Sequence, residues 1–235
     1  MIETRGLVHR YGDSAAVDGI DLTIDDGECV VLAGANGSGK TTLVRHFNGL
    51  LEPDEGSVAV NGIDVAENLV AARTAVAMVF QHPEDQLVAA TVGADVAFGP
   101  ENLGLSHDEI DTRVRESLAA VNLDGRRDER VDALSGGEVE RLAIAGALAM
   151  DPDHLVLDEP FTGLDEPSRQ SVLARLRELR ASGTSLVVVT HDLRDVTELA
   201  DRVVVLSDGR VALDDTPDAA TDRLADLGIR PPPSC

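Results

Sequence analysis

The feature that most constrains the fold is the stretch of residues 34–41, which reads Gly-Ala-Asn-Gly-Ser-Gly-Lys-Thr. It fits the phosphate-loop pattern GxxxxGK[ST], and it lies between an apolar run at residues 29–33, which predicts a buried strand, and a predicted helix at about residues 40–48. Glycines let backbone N–H groups turn toward phosphate oxygens, and the start of the helix adds partial positive charge. Lys40, the only lysine in the chain, is suited to the β- and γ-phosphates, and the Thr41 hydroxyl is suited to Mg²⁺. The stretch therefore predicts a nucleoside triphosphate site.

A second motif, at residues 155–159, reads Leu-Val-Leu-Asp-Glu, an apolar strand that ends in two acids. In P-loop proteins such a strand lies beside the phosphate loop. We therefore expect Asp158 in the Mg²⁺ shell and Glu159 where it polarises the attacking water. Strands followed by acids are common on their own, and this interpretation depends on the phosphate loop.

A third motif, Leu-Ser-Gly-Gly-Glu at residues 134–138, precedes a helical run at residues 139–150. Ser135 is a plausible N-cap, and Glu138 at N3 completes a capping box, as at many helix starts. Two glycines in the first turn, however, cost about 1 kcal/mol each relative to alanine. They are understandable if the phosphate of another molecule must approach the bare amides closely.

Short apolar runs alternate with amphipathic stretches along the chain, which predicts an α/β fold with a mostly parallel sheet. Apolar residues make up 43% of the chain, enough for a packed core. An antiparallel β portion is expected near the N-terminus, with a tight hairpin turn at Asn61-Gly62. Further strands are predicted at residues 58–60, 76–80, 155–157, 186–189 and 203–206.

The middle of the chain has helical spacing instead, from about residue 91 to residue 150. Ser106 and Glu109 form a capping-box pattern at the start of one helix, whose apolar face is expected to contain Ile110, Val114, Leu118 and Val121. We therefore expect one domain over residues 1–235. Its nucleotide-binding core comprises residues 1–81 and 151–235, and residues 82–150 form an inserted helical subdomain.

These three motifs, with Gly163-Leu164-Asp165 and Thr190-His191-Asp192, occur in the order and spacing of ABC transporter ATPases. The resemblance covers nearly the whole chain. It implies a P-loop NTPase core, hydrolysis of ATP with Mg²⁺, and a dimer in which each ATP is held between the phosphate loop of one subunit and the signature motif of the other.

The resemblance also implies roles for individual residues. Tyr11, the only tyrosine, would stack on adenine, although a half-buried core tyrosine is the alternative. His191 would contact the γ-phosphate, the alternative being an ordinary core or turn histidine. The implied catalytic residues are Glu159, His191 and Gln81, and the implied Mg²⁺ ligands are Thr41, Gln81 and Asp158. The implied ATP contacts are Tyr11, Gly34, Asn36, Gly37, Ser38, Gly39, Lys40, Thr41 and Thr42, joined from the other subunit by Ser135, Gly136, Gly137, Glu138 and Asp165 at the dimer seam.

The chain departs from the family at the fifth signature residue, which is usually glutamine and is Glu138 here. The capping geometry is unchanged by this difference. The extra negative charge near ATP predicts a modest loss of affinity.

Residues 80–87, which read Phe-Gln-His-Pro-Glu-Asp-Gln-Leu, resemble the region after the Q-loop in energy-coupling-factor transporters, as do residues 91–105 and 144–150. That group imports cobalt, nickel, biotin and other vitamins. The resemblance implies a second ATPase subunit, identical or not, a transmembrane coupling protein and a small substrate-binding membrane protein. Members usually have Asn where His82 stands, and a generic Q-loop linker is the alternative. We hypothesise that Glu84 and Asp85 receive arginines from the coupling protein.

Two rival classes are an ABC ATPase outside transport and the ATPase of another ABC transporter group. Repair and translation ATPases carry long coiled-coil insertions or two fused nucleotide domains, and neither pattern is present in this sequence. P-loop GTPases and kinases lack the signature motif. The sequence does not identify the cargo, because the ATPase does not touch it.

The formal net charge of −23 bears on the surroundings of the protein. Such a chain repels itself in dilute buffer and much less at molar salt, where the Debye length falls to about 3 Å. We therefore hypothesise a halophilic cytoplasm, and the charge disfavours nucleic acid as a partner.

No apolar stretch approaches the ~18 residues of a membrane span, and residues 1–5 do not resemble a secretory signal. We expect a soluble protein that lies peripherally at the cytoplasmic face of the membrane through its partners. Cys29 and Cys235 are expected to be a core thiol and a terminal thiol.

Overall fold

A computed structural model of the chain describes residues 1–162, 164–194 and 196–229. Gly163, Cys235 and the proline-rich tail therefore lie outside the described residues. The strands are β1 (Ile2–Tyr11), β2 (Ser14–Ile24), β3 (Cys29–Gly34), β4 (Glu55–Val60), β5 (Ile63–Asp64), β6 (Val76–Val79), β7 (His154–Asp158), β8 (Ser185–Thr190), β9 (Arg202–Ser207) and β10 (Arg210–Asp215). The helices are α1 (Lys40–Phe47), α2 (Leu69–Ala75), α3 (Val92–Asn102), α4 (His107–Ala120), α5 (Gly136–Ala149), α6 (Glu166–Ala181) and α7 (Pro217–Leu224), with short 3₁₀ turns at Pro83–Gln86 and Val131–Ala133.

The larger sheet has six strands in the order β10-β9-β3-β8-β7-β6. The five strands from β9 to β6 run parallel, and β10 is antiparallel to β9. All residues of β3, β7 and β8 are buried, as expected of parallel strands covered on both faces. The mostly parallel sheet is thus confirmed. One detail differs from expectation, because β8 separates β7 from β3.

Alternate residues of β3 enter two apolar cores on opposite faces of this sheet. Cys29, Val31 and Ala33 lie in one core, and Val30 and Leu32 lie in the other. Burial raises the pKa of the Cys29 thiol to about 12, so this cysteine is the inert core thiol expected from the sequence.

The smaller sheet confirms the antiparallel portion near the N-terminus, in the order β2-β1-β4-β5. The sequence pattern does not resolve its first two strands individually, because several register shifts interrupt their pairing and blur the two-residue period. The predicted turn joins β4 to β5. Asn61 and Gly62 have φ of 51° and 78°, the positive values that a two-residue hairpin of this kind needs.

Helices α3, α4 and α5 follow β6 and precede β7, and they pack against one another. The predicted apolar face of α4 is buried, and the Glu109 carboxylate accepts a hydrogen bond from the Ser106 backbone N at 3.0 Å. The α/β class with inserted helices is thus confirmed, whereas the boundaries at residues 82 and 150 stay a prediction. Among the described residues, no helix combines the length and the apolar character that a membrane crossing needs.

Candidate active site

The phosphate loop joins β3 to α1 at the carboxyl end of the larger sheet. At its last glycine, Gly39, φ is 102°, and a Cβ there would lie 2.2 Å from the carbonyl oxygen of Ala16. A side chain at this position would therefore force the loop away from β2. Buried Lys40 donates from Nζ to the carbonyl oxygens of Gly34 at 2.8 Å and Ala35 at 3.1 Å. Burial lowers the pKa of Lys40, a group that an anion in the loop would stabilise in its charged form.

Asp158 ends β7 and lies against the start of α1. Its Oδ2 accepts a hydrogen bond from the Thr41 hydroxyl at 2.8 Å, although β8 lies between β7 and β3, the strand that leads to Thr41 through the phosphate loop. The carboxylate is 3% exposed, and burial raises its pKa. Its buried Oδ1 has no hydrogen-bond partner within the described part of the chain.

This pair fits Mg²⁺, which takes oxygen ligands and few of them from the protein. A cation beside Asp158 would satisfy the unpartnered oxygen and offset the cost of burying the charge. When bound, it would neutralise negative charge on the phosphates and help to orient them.

Glu159 has a strained backbone. It is one of five described non-glycine residues with positive φ, here 55°, and the other four are Asn or Asp, which tolerate this region better. Its carboxylate lies 2.8 Å from Nδ1 of His191 and accepts a hydrogen bond from the Thr190 hydroxyl at 3.2 Å. Residues at the end of β8 thus contact the carboxylate of the residue that follows the adjacent strand β7. Strain of this kind persists where the surrounding structure holds it, often at functional sites.

Thr190 is a contact to which the sequence assigns no role. It belongs to the Thr190-His191-Asp192 motif, but the family resemblance implies a role only for His191. The available signal is its place at the end of β8, one residue before the histidine.

Of the residues predicted to bind ATP within one chain, all except Gly34 line one cavity of about 460 Å³. Tyr11 at its rim is 54% exposed and makes a T-shaped contact with the ring of His9 at a centroid distance of 4.8 Å, so its side chain is accessible for stacking. Gly34 does not line the cavity, but its carbonyl oxygen accepts a hydrogen bond from the lining residue Lys40. His191 contacts the lining residue Glu159. The lining residues are Tyr11, Ala16, Asn36, Gly37, Ser38, Gly39, Lys40, Thr41, Thr42, Gln81, Asp158 and Glu159.

The residues assigned to the other subunit lie elsewhere. We call Ser135–Glu138 together with Asp165 the signature face; none of them is among the described residues that line the cavity. Ser135, Gly136 and Asp165 are exposed at the starts of α5 and α6. Asp165 caps α6 by accepting from the Ser168 backbone N at 2.9 Å.

The two signature glycines have different surroundings. A Cβ on Gly136 would meet open space, as expected if an outside group must reach its amide. A Cβ on Gly137 would lie 2.9 Å from Oγ of Ser168, so this glycine also has an internal reason, the close approach of α6. The Glu138 carboxylate accepts from the backbone N and the hydroxyl of Ser135, both at 2.7 Å, which fixes the turn.

The arrangement can bind and hydrolyse a nucleoside triphosphate. The loop amides and Lys40 suit the phosphates, and Tyr11 suits the base. Glu159, with a side chain 10% exposed at the end of β7, is the carboxylate available to orient a water for in-line attack.

Comparisons with known proteins agree with this site. The ABC transporter family model matches residues 17–162. A protein of Halobacterium salinarum, provisionally named as an ABC transporter ATP-binding protein, is 69% identical over 232 residues, covering 99% of this chain and 100% of that protein. The energy-coupling factor transporter ATP-binding protein EcfA of Methanocaldococcus jannaschii is 43% identical over 238 aligned positions, covering 97% of this chain and 85% of that protein.

Among solved structures, cbiO1 from Clostridium perfringens, part of the ABC transporter complex cbiONQ, is similar to this chain with a TM-score of 0.82. The two are 33% identical, and the match covers 97% of this chain and 96% of the other. The family model, the relatives and the shared fold together show that this chain belongs to the ATP-binding subunits of ABC transporters and is an ATPase similar to those of energy-coupling-factor transporters.

Proposed function

We propose that the chain is the ATPase subunit of an energy-coupling-factor importer, and that two such subunits close over ATP. The observation that carries the dimer is the separation of the two halves of the site. One chain supplies a cavity with Lys40, Asp158 and Glu159, while its signature face is exposed outside that cavity. Two copies related by a twofold axis would bring each signature face to the other's cavity.

In the proposed cycle, ATP with Mg²⁺ occupies the phosphate loop, and the signature face of the second subunit closes over the γ-phosphate. Glu159 orients the attacking water and accepts its proton, and His191 and Thr190 hold the carboxylate in place. Product formation weakens the contact across the seam and the dimer reopens. Closure and reopening are the motions that drive a membrane partner.

A groove between the core and the inserted helices supports the docking of that partner. It has a volume of about 240 Å³ and lies between β6, α3 and α5. Leu50, Val88 and Phe98 line it with unusually exposed apolar side chains, between 45% and 60% exposed. Exposed apolar clusters of this kind mark interaction sites, and here the surface suits an amphipathic helix.

The cargo follows from the proposed class of transporter. We propose a transition metal ion, cobalt or nickel, or a vitamin such as biotin, bound by a small membrane protein that the ATPase does not touch. The similar proteins EcfA and cbiO1, the latter part of the ABC transporter complex cbiONQ, support this class. The subunit would lie at the cytoplasmic face of the membrane, held there by its partners.

Glu84 and Asp85 follow the Q-loop and are exposed, which supports the hypothesis that they receive arginines of the coupling protein. Replacing both by lysine should abolish co-purification with that protein if the pairing holds.

The test is co-purification of the tagged chain with its membrane partners from its own cells. Val88→Asp with Phe98→Asp should abolish capture of the partners while leaving the ATPase activity of the isolated chain unchanged. The control is Ile63→Asp, a substitution at a similarly exposed apolar side chain on β5, away from the groove. If the groove variant captures the partners as well as the parent does, the docking assignment is wrong. Identification of the captured cargo protein tests the transporter class.

A further inference from the structure

Arg126 pairs with two carboxylates, those of Glu129 and Glu138, beside the signature face. Its guanidinium forms a two-pronged pair with Glu129, Nε at 2.5 Å and Nη2 at 2.8 Å, and Nη1 contacts Oε1 of Glu138. The other carboxylate oxygen of Glu138, Oε2, accepts both the backbone N–H and the hydroxyl of Ser135. A continuous chain of charged hydrogen bonds therefore runs from Arg126 to the start of α5.

Glu138 brings a full charge to this turn. The Ser135 hydroxyl and backbone N–H, followed by Arg126, lower the pKa of Glu138 to about 2, so the carboxylate is ionised throughout the physiological range. A triphosphate that approaches the turn carries the same sign of charge, and an unpaired carboxylate there would repel it. The Arg126 and Glu138 side chains are 28% and 23% exposed, so solvent screens their pairing only in part.

The backbone around Arg126 is held in place by the neighbouring helix. The N–H groups of Val92 and Gly93, at the start of α3, donate to the carbonyl oxygens of Glu129 and Arg127 at 3.0 and 2.8 Å. The arginine therefore projects from a fixed segment, and its charge lies at a defined position.

We propose that Arg126 is a positioning residue for the signature face, which neutralises Glu138 and holds it where it orients Ser135 for the γ-phosphate of the partner's ATP. The inference rests on the proposed closure of two subunits over ATP. When the Ser135 hydroxyl turns from Oε2 to a phosphate oxygen, Glu138 keeps the backbone N–H and Arg126 as partners. Binding of Arg126 to Oε1 also makes the carboxylate a weaker acceptor, which eases release of the hydroxyl.

The experiment compares four chains that all carry Glu159→Gln, so that ATP is not consumed: the parent, Arg126→Gln, Glu138→Gln and the double variant. ATP is titrated against each, and the fraction of dimer is measured by light scattering. Arg126→Gln should raise the ATP concentration for half-maximal dimer roughly tenfold, because it leaves a charged partner unpaired. In the Glu138→Gln chain, where no charge needs neutralising, the same substitution should change that concentration less than about twofold.

The matched control is Arg130→Gln, which removes another arginine of this segment whose ion pair is with Asp132, a residue outside the signature face. It should dimerise as the parent does, and circular dichroism should show all chains folded. A purely structural role for Arg126 would give the same defect in the Glu138→Gln chain as in the parent, and that result would overturn the proposal. A parent that shows no ATP-dependent dimer would instead contradict the proposed function.

Discussion

The nucleotide cavity and the signature face are built in different ways. The cavity is formed at strand ends of the larger sheet, where charged side chains are buried and the strained residue Glu159 is held by contacts from a neighbouring strand. The signature face is made at helix starts, and its exposed backbone is fixed by side-chain capping. The difference agrees with different roles for the two regions. In the proposed dimer, the groups assigned to the chemistry would be held inside one subunit, whereas the groups assigned to contact the other subunit are open to solvent.

The largest expected effect comes from disabling the cavity alone. Glu159→Gln should lower ATP hydrolysis by about 10²–10⁴-fold, the usual contribution of a general base. Binding should survive, because the phosphate contacts are intact, so an ATP-bound dimer should accumulate on size exclusion. Hydrolysis at the parent rate would show that Glu159 does not perform this role.

Mixing two inactive variants tests whether each ATP site combines the nucleotide cavity of one subunit with the signature face of the other. Lys40→Ala and Ser135→Arg should each be inactive alone, since one lacks a working cavity and the other a working signature face. In an equal mixture, half of the dimers are mixed and each has one intact site, so roughly a quarter of the parent activity should return. If mixed dimers form and remain inactive, the assignment of the cavity and the signature face to different subunits is wrong.

Salt should affect the proposed seam between subunits, where two chains of charge −23 would meet. Raising KCl from 0.1 to 1 M shortens the Debye length from about 10 to about 3 Å. We expect the Glu159→Gln chain to need several-fold less ATP for half-maximal dimer at the higher salt, as the acidic surfaces repel each other less. Circular dichroism at each salt separates this effect from folding. A seam that weakens with salt would point to attraction between charges instead.

The smallest effect concerns stability. Burial raises the pKa of Asp158, so folding disfavours its ionised form; this cost is present at neutral pH and is lost as the pH falls through the folded-state pKa toward the lower pKa of the unfolded state. Asp158→Asn should therefore raise the melting temperature of the nucleotide-free chain at pH 7 by about 2–4 °C. It should also abolish hydrolysis. Thr41→Val, which removes a hydrogen bond from the same carboxylate, should lower the melting temperature.

Much of the cavity is predictable because its residues lie in short, local patterns. The phosphate loop is continuous in sequence, and β3, β7 and β8 are buried apolar runs that end at the polar residues of the site. Asp158 and Glu159 are recognisable for the same reason. Tyr11 and Gln81 come only through resemblance to the family, and the structure places both at the cavity.

The order of strands is not predictable from local patterns, because which strand lies between two others depends on packing across the whole sheet. The position of β8 between β3 and β7 is such a case. The pairing of Arg126 with Glu138 cannot be predicted from the sequence for a similar reason. A turn and a helix cap lie between the two residues, and no helical or strand periodicity relates them. The sequence explains Gly137 only in part, because its close approach to Ser168 involves two helices that are far apart in the sequence.

That contact has a consequence for how the protein can be blocked. Because Gly137 has no side chain, the Ser168 hydroxyl can lie close to the first turn of α5, and the first turns of α5 and α6 approach each other beside the signature face. We expect a small molecule bound between these two turns to disturb the proposed contact of the signature face with a second subunit. Such a molecule would act without entering the nucleotide cavity.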